Sequence, residues 1–136
     1  MCDVRRLLIA LLAGLLVVLA APPTGAARDR EWGSTGAPDR TLKRGCATYH
    51  YHYKLTPPPG VDWMFETFLL DPDKKRVASG VFLSSTDPVQ DQSGFAFCKL
   101  NTRAGKFTIK GKVTISDPDL KVRWIPASTF RLRPPR

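Results

Sequence analysis

The stretch KFTIKGKVTIS, residues 106–116, alternates apolar and polar side chains along its whole length. A half-buried β-strand needs this period of two, because successive side chains point to opposite faces of a sheet. Each large apolar side chain that such a strand buries stabilises the fold by roughly 1.5–3 kcal/mol. We therefore expect a strand whose inner face carries Phe107, Ile109, Gly111, Val113 and Ile115.

The chain from Gly45 onward repeats this kind of run, and prolines, glycines and Asp-Pro pairs separate one run from the next. No segment shows the period of an amphipathic helix. Short runs with regular punctuation predict an all-β fold, an antiparallel β-sandwich of about six or seven strands. The expected strands are residues 46–55, 61–70, 77–85, 95–101, 106–116 and 121–133, and residues 86–94 are expected to form a long loop.

The last run, residues 121–133, alternates in the same way on both sides of Pro126. The short connection that precedes it makes it the hairpin partner of the 106–116 strand. Its apolar side chains keep one phase only if no bulge interrupts the strand at Pro126. On that condition its inner face carries Val122, Trp124, Phe130 and Leu132.

The amino-terminal segment has the layout of a secretory signal, with Arg5 and Arg6 followed by an apolar run and small residues. The apolar run is shorter than the roughly 20 residues that span a bilayer, which disfavours the alternative of a membrane anchor. We expect residues 1–27 to be cleaved, leaving an extracellular protein without a transmembrane segment. Residues 28–44 are polar and rich in Gly, Ser and Pro, so we expect a flexible leader before a sandwich domain of residues 45–132.

Two cysteines follow the signal, Cys46 and Cys98, and an even pair in an exported chain predicts a disulfide. Closing a loop of this length would contribute about 4 kcal/mol to stability if the native state is unstrained. Two free thiols at a catalytic or metal site are the alternative. Each cysteine is out of phase with the aromatic residues of its run. The disulfide is therefore expected on an outer face or near a rim, unless a bulge shifts the register.

The run CATYHYHYKL, residues 46–55, interleaves tyrosines with the only two histidines of the chain. The tyrosine face is the larger apolar surface and should pack inward, which leaves His50 and His52 pointing outward. Two histidines on one side of a strand are candidate metal ligands, but zinc usually takes three or four. A carboxylate such as Glu66 or Asp62 would have to complete such a site. We therefore expect neither a metal nor another cofactor.

An early cysteine, Trp63 on the following run and Cys98 late in the chain resemble the immunoglobulin-type arrangement. The stretches FAFCKL, GKFTIKGKVTI and PASTFRLR are similar to those of small secreted immunoglobulin/fibronectin-like β-sandwich proteins of high-GC Gram-positive bacteria. Most of those proteins have no assigned activity. The resemblance covers roughly residues 45–132. It implies an immunoglobulin-like sandwich with the disulfide in its core.

The chain carries a formal net charge of +9, which favours polyanionic partners. Cations alternate with the core positions of the last two runs, so a hairpin would collect them on one basic face. Nucleic-acid binding usually adds exposed aromatic residues, and since none interleaves with these cations, we expect no nucleic acid. A solvated face that only discourages edge-to-edge aggregation is the alternative. The candidate polyanion-binding residues are Lys106, Lys110, Lys112, Lys121, Arg123, Arg131 and Arg133.

Catalytic motifs are missing from the sequence, which has no nucleophile elbow, zinc-protease helix or glycine-rich phosphate loop. We therefore expect a binding module and not an enzyme. The first hypothesis is a secreted monomer that binds anionic cell-wall or surface polymers through the basic face. The alternative is an extracellular protein inhibitor or interaction module that presents the 86–94 loop to another protein.

Overall fold

The computed structural model describes residues 32–116 and 118–136, so the expected signal peptide of residues 1–27 lies outside the described residues. Within these ranges the helical structure is limited to a 3-10 turn at Lys99–Asn101. No helix in the described part of the chain is long and apolar enough to cross a membrane. The strands are β1 (Gly33–Gly36), β2 (Arg40–Thr41), β3 (Cys46–Leu55), β4 (Trp63–Leu70), β5 (Arg76–Leu83), β6 (Gln90–Cys98), β7 (Gly105–Ile115) and β8 (Lys121–Arg133).

The strands form two sheets. One contains three strands in the order β1-β3-β6, and the other contains five in the order β2-β8-β7-β4-β5. Neighbouring strands are antiparallel except β2 and β8, which are parallel. Side chains from both sheets form one buried hydrophobic cluster. The predicted all-β fold is therefore confirmed, and its two layers are consistent with a β-sandwich.

The central strand β3 buries its tyrosines and exposes its histidines, as the alternation predicts. A buried phenol needs a hydrogen-bond partner, and the structure supplies one for each ring. The hydroxyls of Tyr51 and Thr67 are 2.9 Å apart in the core. Tyr53 donates to the carbonyl of Pro88 at 3.0 Å, near the rim. The prediction that the tyrosines of β3 face the core and its histidines face outward is therefore confirmed.

The disulfide between Cys46 and Cys98 is present, and the two residues lie directly opposite each other in the β3–β6 ladder. It therefore joins neighbouring strands of one sheet. Cys46 is exposed on the same face as the histidines, which confirms the peripheral position expected from the alternation. The core position implied by the immunoglobulin resemblance is wrong, because that arrangement links one sheet to the other.

Strand β7 buries the whole apolar phase predicted for it, from Phe107 to Ile115. Gly111 belongs to this phase for a steric reason, because a Cβ there would come within 2.8 Å of Phe65 and Ile125. The missing side chain lets both neighbours fill the space above the strand. The sequence pattern that predicts the fold most clearly thus corresponds to the middle of the larger sheet.

Strand β8 follows its predicted phase only in its second half. Phe130 and Leu132 are buried, whereas Val122 and Trp124 are 43% and 49% exposed. In their place Ile125 is buried, with 4% of its surface exposed. The prediction that Val122 and Trp124 face the core is therefore wrong.

A β-bulge at Pro126 causes this inversion. The β7–β8 pairing joins Ile109 to Ser128 and then Gly111 to Ile125, so two residues of β8 oppose one residue of β7. Proline has no N–H to donate to a ladder and is tolerated at such irregularities. Because side chains alternate with a period of two, one extra residue moves every earlier side chain of β8 to the other face.

The segment of residues 28–44, expected to be a flexible leader, is part of the fold over its described portion, residues 32–44. β1 pairs with the end of β3, and β2 pairs with the end of β8. Leu42 is 1% exposed, and Trp32 packs partly buried against the core. The sequence shows no periodicity here because β1 and β2 are too short to display one. The two-sheet fold therefore begins before residue 45.

Residues 86–94 do not form the expected long loop. Gln90–Gly94 continue strand β6 and pair with His50–Lys54 of β3. The remaining turn is compact, because Asp87 accepts hydrogen bonds from the backbone N–H of Leu83 at 2.8 Å and from the hydroxyl of Thr86 at 2.9 Å. The polar composition of residues 90–94 hid a strand whose outer side chains are exposed.

Candidate anion-binding surface

The five-stranded sheet has an outer face, which is the side turned away from the three-stranded sheet. Lys106 of β7 pairs with Arg131 of β8, and Lys110 and Lys112 lie further along β7 in the same phase. Glu66 is the single acidic residue in the five strands of this sheet. The cations of the outer face are Arg76, Lys106, Lys110, Lys112, Arg131 and Arg133.

One of these cations is neutralised locally. The ammonium of Lys112 lies 2.5 Å from Oε2 of Glu66, its cross-strand neighbour on β4. No carboxylate of residues 32–116 and 118–136 forms an ion pair with Lys106, Lys110 or Arg131. The outer face therefore has a strong excess of positive charge, and an anionic ligand could approach it without displacing an internal partner.

Aromatic side chains interleave with these cations, which the sequence did not predict. Trp124 lies opposite Lys112, and its ring centroid is 5.9 Å from that of Phe68. The guanidinium of Arg76 lies 5.7 Å from the Phe68 ring centroid and the Lys112 ammonium 6.0 Å, within cation–π range. The clue in the sequence was Pro126, which permits a bulge and hence an outward Trp124. The argument that no aromatic residue accompanies the basic face is therefore wrong.

Two of the predicted basic residues do not belong to the outer face. Lys121 pairs with Ile115 and Arg123 pairs with Val113, and directly paired residues project to the same side of a sheet. Ile115 and Val113 point into the core, so Lys121 and Arg123 lie on the inner side, where both remain exposed. The Arg123 guanidinium lies 5.8 Å from the ring centroid of Trp32. The same bulge that exposes Trp124 is the cause.

The histidines lie on the exposed side of the three-stranded sheet. His50 is opposite Gly94, and His52 is flanked by Gly36 and Gln92, none of which is a metal ligand of the expected kind. The carboxylates of Glu66 and Asp62 belong to β4 and the residue before it, in the other sheet. Among the described residues, no group of three His, Cys, Asp or Glu side chains is placed to hold a metal ion.

Shifted pKa values concern the core and a turn. Burial raises the pKa of Tyr53 to about 12, and the negative charges of Asp87 and Asp91 add to this effect. At an exposed turn, the guanidinium of Arg103 donates a hydrogen bond of 2.8 Å to Asp73 and lowers the pKa of that carboxyl. Neither Tyr53 nor Asp73 lies on the outer face of the five-stranded sheet.

No protein-family model matches the sequence, and no curated protein is significantly similar to it. The function must therefore be inferred from the arrangement of the side chains.

Proposed function

We propose that the protein binds an anionic surface polymer through the outer face of its five-stranded sheet. One observation carries this proposal: six cations project from a sheet whose strands contain a single acidic residue. A regular sheet spaces neighbouring strands about 4.8 Å apart, so these charges form a two-dimensional array. An array of this kind suits a polymer with repeated negative groups, because each group gains one contact with little rearrangement of the protein.

The exposed ring of Trp124 favours an acidic polysaccharide as the polymer. The C–H faces of sugar rings stack on aromatic side chains, and sugar carboxylates or phosphates pair with lysine and arginine. Trp124 and Phe68 supply the aromatic surface, and Lys110 provides a neighbouring charge. The bases of a single-stranded nucleic acid would stack on the same ring, which makes nucleic acid the competing ligand for the experiment.

We infer further that the protein works outside the cytoplasm and acts by binding. The Cys46–Cys98 disulfide is compatible with an oxidising compartment. The alternative function, an inhibitor that presents residues 86–94, gains no support from the geometry. Most of that segment is engaged in strand β6, and the turn before it is held by internal hydrogen bonds. A binding surface on the outer face therefore explains more of the structure.

Charge reversal tests the proposal. The variant Lys106→Glu/Lys110→Glu/Arg131→Glu reverses three outer-face charges, and the matched control Lys54→Glu/Lys99→Glu/Lys121→Glu reverses three exposed lysines elsewhere. Both variants change the net charge equally. Retention is measured on immobilised polygalacturonate, with uncharged dextran as the blank and a single-stranded oligonucleotide as the competitor.

We expect the wild-type protein and the control to be retained on polygalacturonate and released by salt, and the outer-face variant to pass through unretained. Equal losses in both variants would show that only total charge matters and would overturn the proposal. Preferential release by the oligonucleotide would reassign the face to nucleic acid.

A further inference from the structure

A cavity of about 380 Å³ lies between β2 and β3, outside the surface described above. Its lining combines cations with hydroxyl groups and contains no carboxylate. None of the predicted polyanion-binding residues contributes to it, so it is a separate feature. The lining residues are Arg40, Thr41, Lys43, Thr48, Tyr49 and His50.

The walls of this cavity are fixed by hydrogen bonds to both sheets. The backbone N–H of Leu42 donates to the carbonyl of Arg133 at 2.8 Å, which ties the segment to β8. The next N–H, that of Lys43, donates to the hydroxyl of Tyr49 at 2.9 Å, which ties it to β3. Leu42 is buried between these anchors. Arg40 and Lys43 therefore extend from a backbone that is already held in place.

The floor of the cavity is an open edge of β3. Strand β1 covers β3 only from Leu55 to His52, so no strand of residues 32–116 or 118–136 lies beside the edge before His52. Backbone groups of an antiparallel strand alternate between its two neighbours. Because the N–H of Leu55 points towards the β6 side, where it donates to Val89 at 2.7 Å, the N–H groups of Thr48 and His50 point to the open edge.

The charge of the cavity is not compensated within the described residues. Neither Arg40 nor Lys43 forms an ion pair with a carboxylate of residues 32–116 or 118–136. Asp39, the chain neighbour of Arg40, accepts the backbone N–H of Arg131 at 2.7 Å. Two cations, hydroxyl groups and unpaired backbone donors around one concave space are the groups that proteins use to bind oxyanions.

We propose that this cavity binds a single oxyanion group, the phosphate or carboxylate of a larger ligand. Arg40 offers a planar fork of donors, Lys43 a compact charge, and Thr48 both a hydroxyl and a backbone N–H. The sequence concealed the site because Arg40 and Lys43 lie in the segment expected to be a flexible leader. This cavity shares no residue with the outer face, so the proposal that it binds an oxyanion does not depend on polymer binding by the outer face.

Amide chemical shifts of the protein, followed during a titration, test the proposal. The protein is titrated with inorganic phosphate in one series and with monomeric galacturonate in another, which separates the two sources of the oxyanion. Saturable shifts at the amides of Thr48 and His50 are expected in at least one series. The variant Arg40→Gln/Lys43→Gln should weaken that affinity by about tenfold or more, because each residue supplies a charge-assisted hydrogen bond.

The matched control is Lys54→Gln/Lys121→Gln, which removes two charges from exposed positions away from the cavity and should leave the affinity unchanged. All four side chains are exposed, and a thermal melt verifies that the variants fold. The proposal is overturned if neither probe shifts Thr48 and His50, or if both double variants weaken binding equally. Saturation by phosphate alone or by galacturonate alone identifies the group that the cavity accepts.

Discussion

Trp124 lies directly opposite Lys112 across the β7–β8 ladder, so an indole ring and an ammonium group share the outer face of the larger sheet. This relationship exists because one extra residue in β8 shifts the register between Ile109 and Gly111. The bulge thus converts an expected core residue into a surface residue. It also gives a basic face the aromatic component that recognition of sugars or bases requires.

The inverted phase of β8 makes a sharp prediction for two adjacent residues. Ile125→Ala should destabilise the protein by about 2–4 kcal/mol, because it removes a side chain that is 4% exposed in the core. Trp124→Ala should change stability by less than about 1 kcal/mol and yet reduce retention on polygalacturonate. Chemical denaturation measures the first effect. The order of the two stability losses would be reversed if Trp124 faced the core.

The hydrogen bond between Tyr51 and Thr67 predicts a coupling in the core. Tyr51→Phe should cost about 1–3 kcal/mol, because it leaves the buried hydroxyl of Thr67 without this partner. The double variant Tyr51→Phe/Thr67→Val should lose less stability than the two single variants lose in sum, because it removes both polar groups and leaves neither one unpaired. A double-mutant cycle from urea unfolding measures this coupling. Strict additivity of the two losses would contradict it.

Alkaline pH should unfold the protein partly through Tyr53. Burial raises the pKa of this phenol from 10.0 to about 12 in the folded state. The unfolded chain therefore loses the Tyr53 proton first, and the stabilising contribution is complete below pH 10 and lost as the pH rises towards 12. The free energy of unfolding should fall across this window. Far-ultraviolet circular dichroism measures the unfolding, and tyrosinate absorbance measures the ionisation of tyrosine over the same pH range.

Tyr53→Phe provides the control for the pH prediction. Phenylalanine has no proton to lose, so the slope of stability against pH should become shallower between pH 10 and 12 in this variant. The variant also loses the hydrogen bond to Pro88, which lowers stability by a similar amount at every pH below that window. An unchanged slope would show that other groups dominate the alkaline transition.

Local alternation predicted much of the fold correctly. The tyrosine face of β3 and the apolar face of β7 were both expected, because a half-buried strand shows its inner face in every second residue. The peripheral disulfide followed from the same rule, since Cys46 is out of phase with the tyrosines. Composition was a poorer guide, because the polar residues 90–94 and the Gly- and Ser-rich segment near Trp32 contain strands.

The candidate sites depended more strongly on tertiary pairing. Lys106, Lys110 and Arg131 were identified from β7 and β8 separately, and the ladder places them together as expected. Lys121 and Arg123 were assigned to the wrong side, because phase is transmitted along a strand only while the ladder is regular. The Arg40–Lys43 cavity was missed from the sequence, because Arg40 and Lys43 lie in the segment that was expected to be a flexible leader.

Side-chain alternation and the cysteine count were enough to predict the fold class, the disulfide pair and the inner faces of β3 and β7. These features depend on side-chain period and on the number of cysteines, which are local properties of the chain. The neighbours of the strands other than the β7–β8 hairpin, the bulge in β8 and the packing of residues 32–44 became evident only in the folded molecule. Those outcomes depend on hydrogen bonds between residues distant in sequence, such as Leu42 with Arg133 and Asp39 with Arg131. The outward position of Trp124 and the place of residues 40–43 beside β8 follow from such long-range contacts.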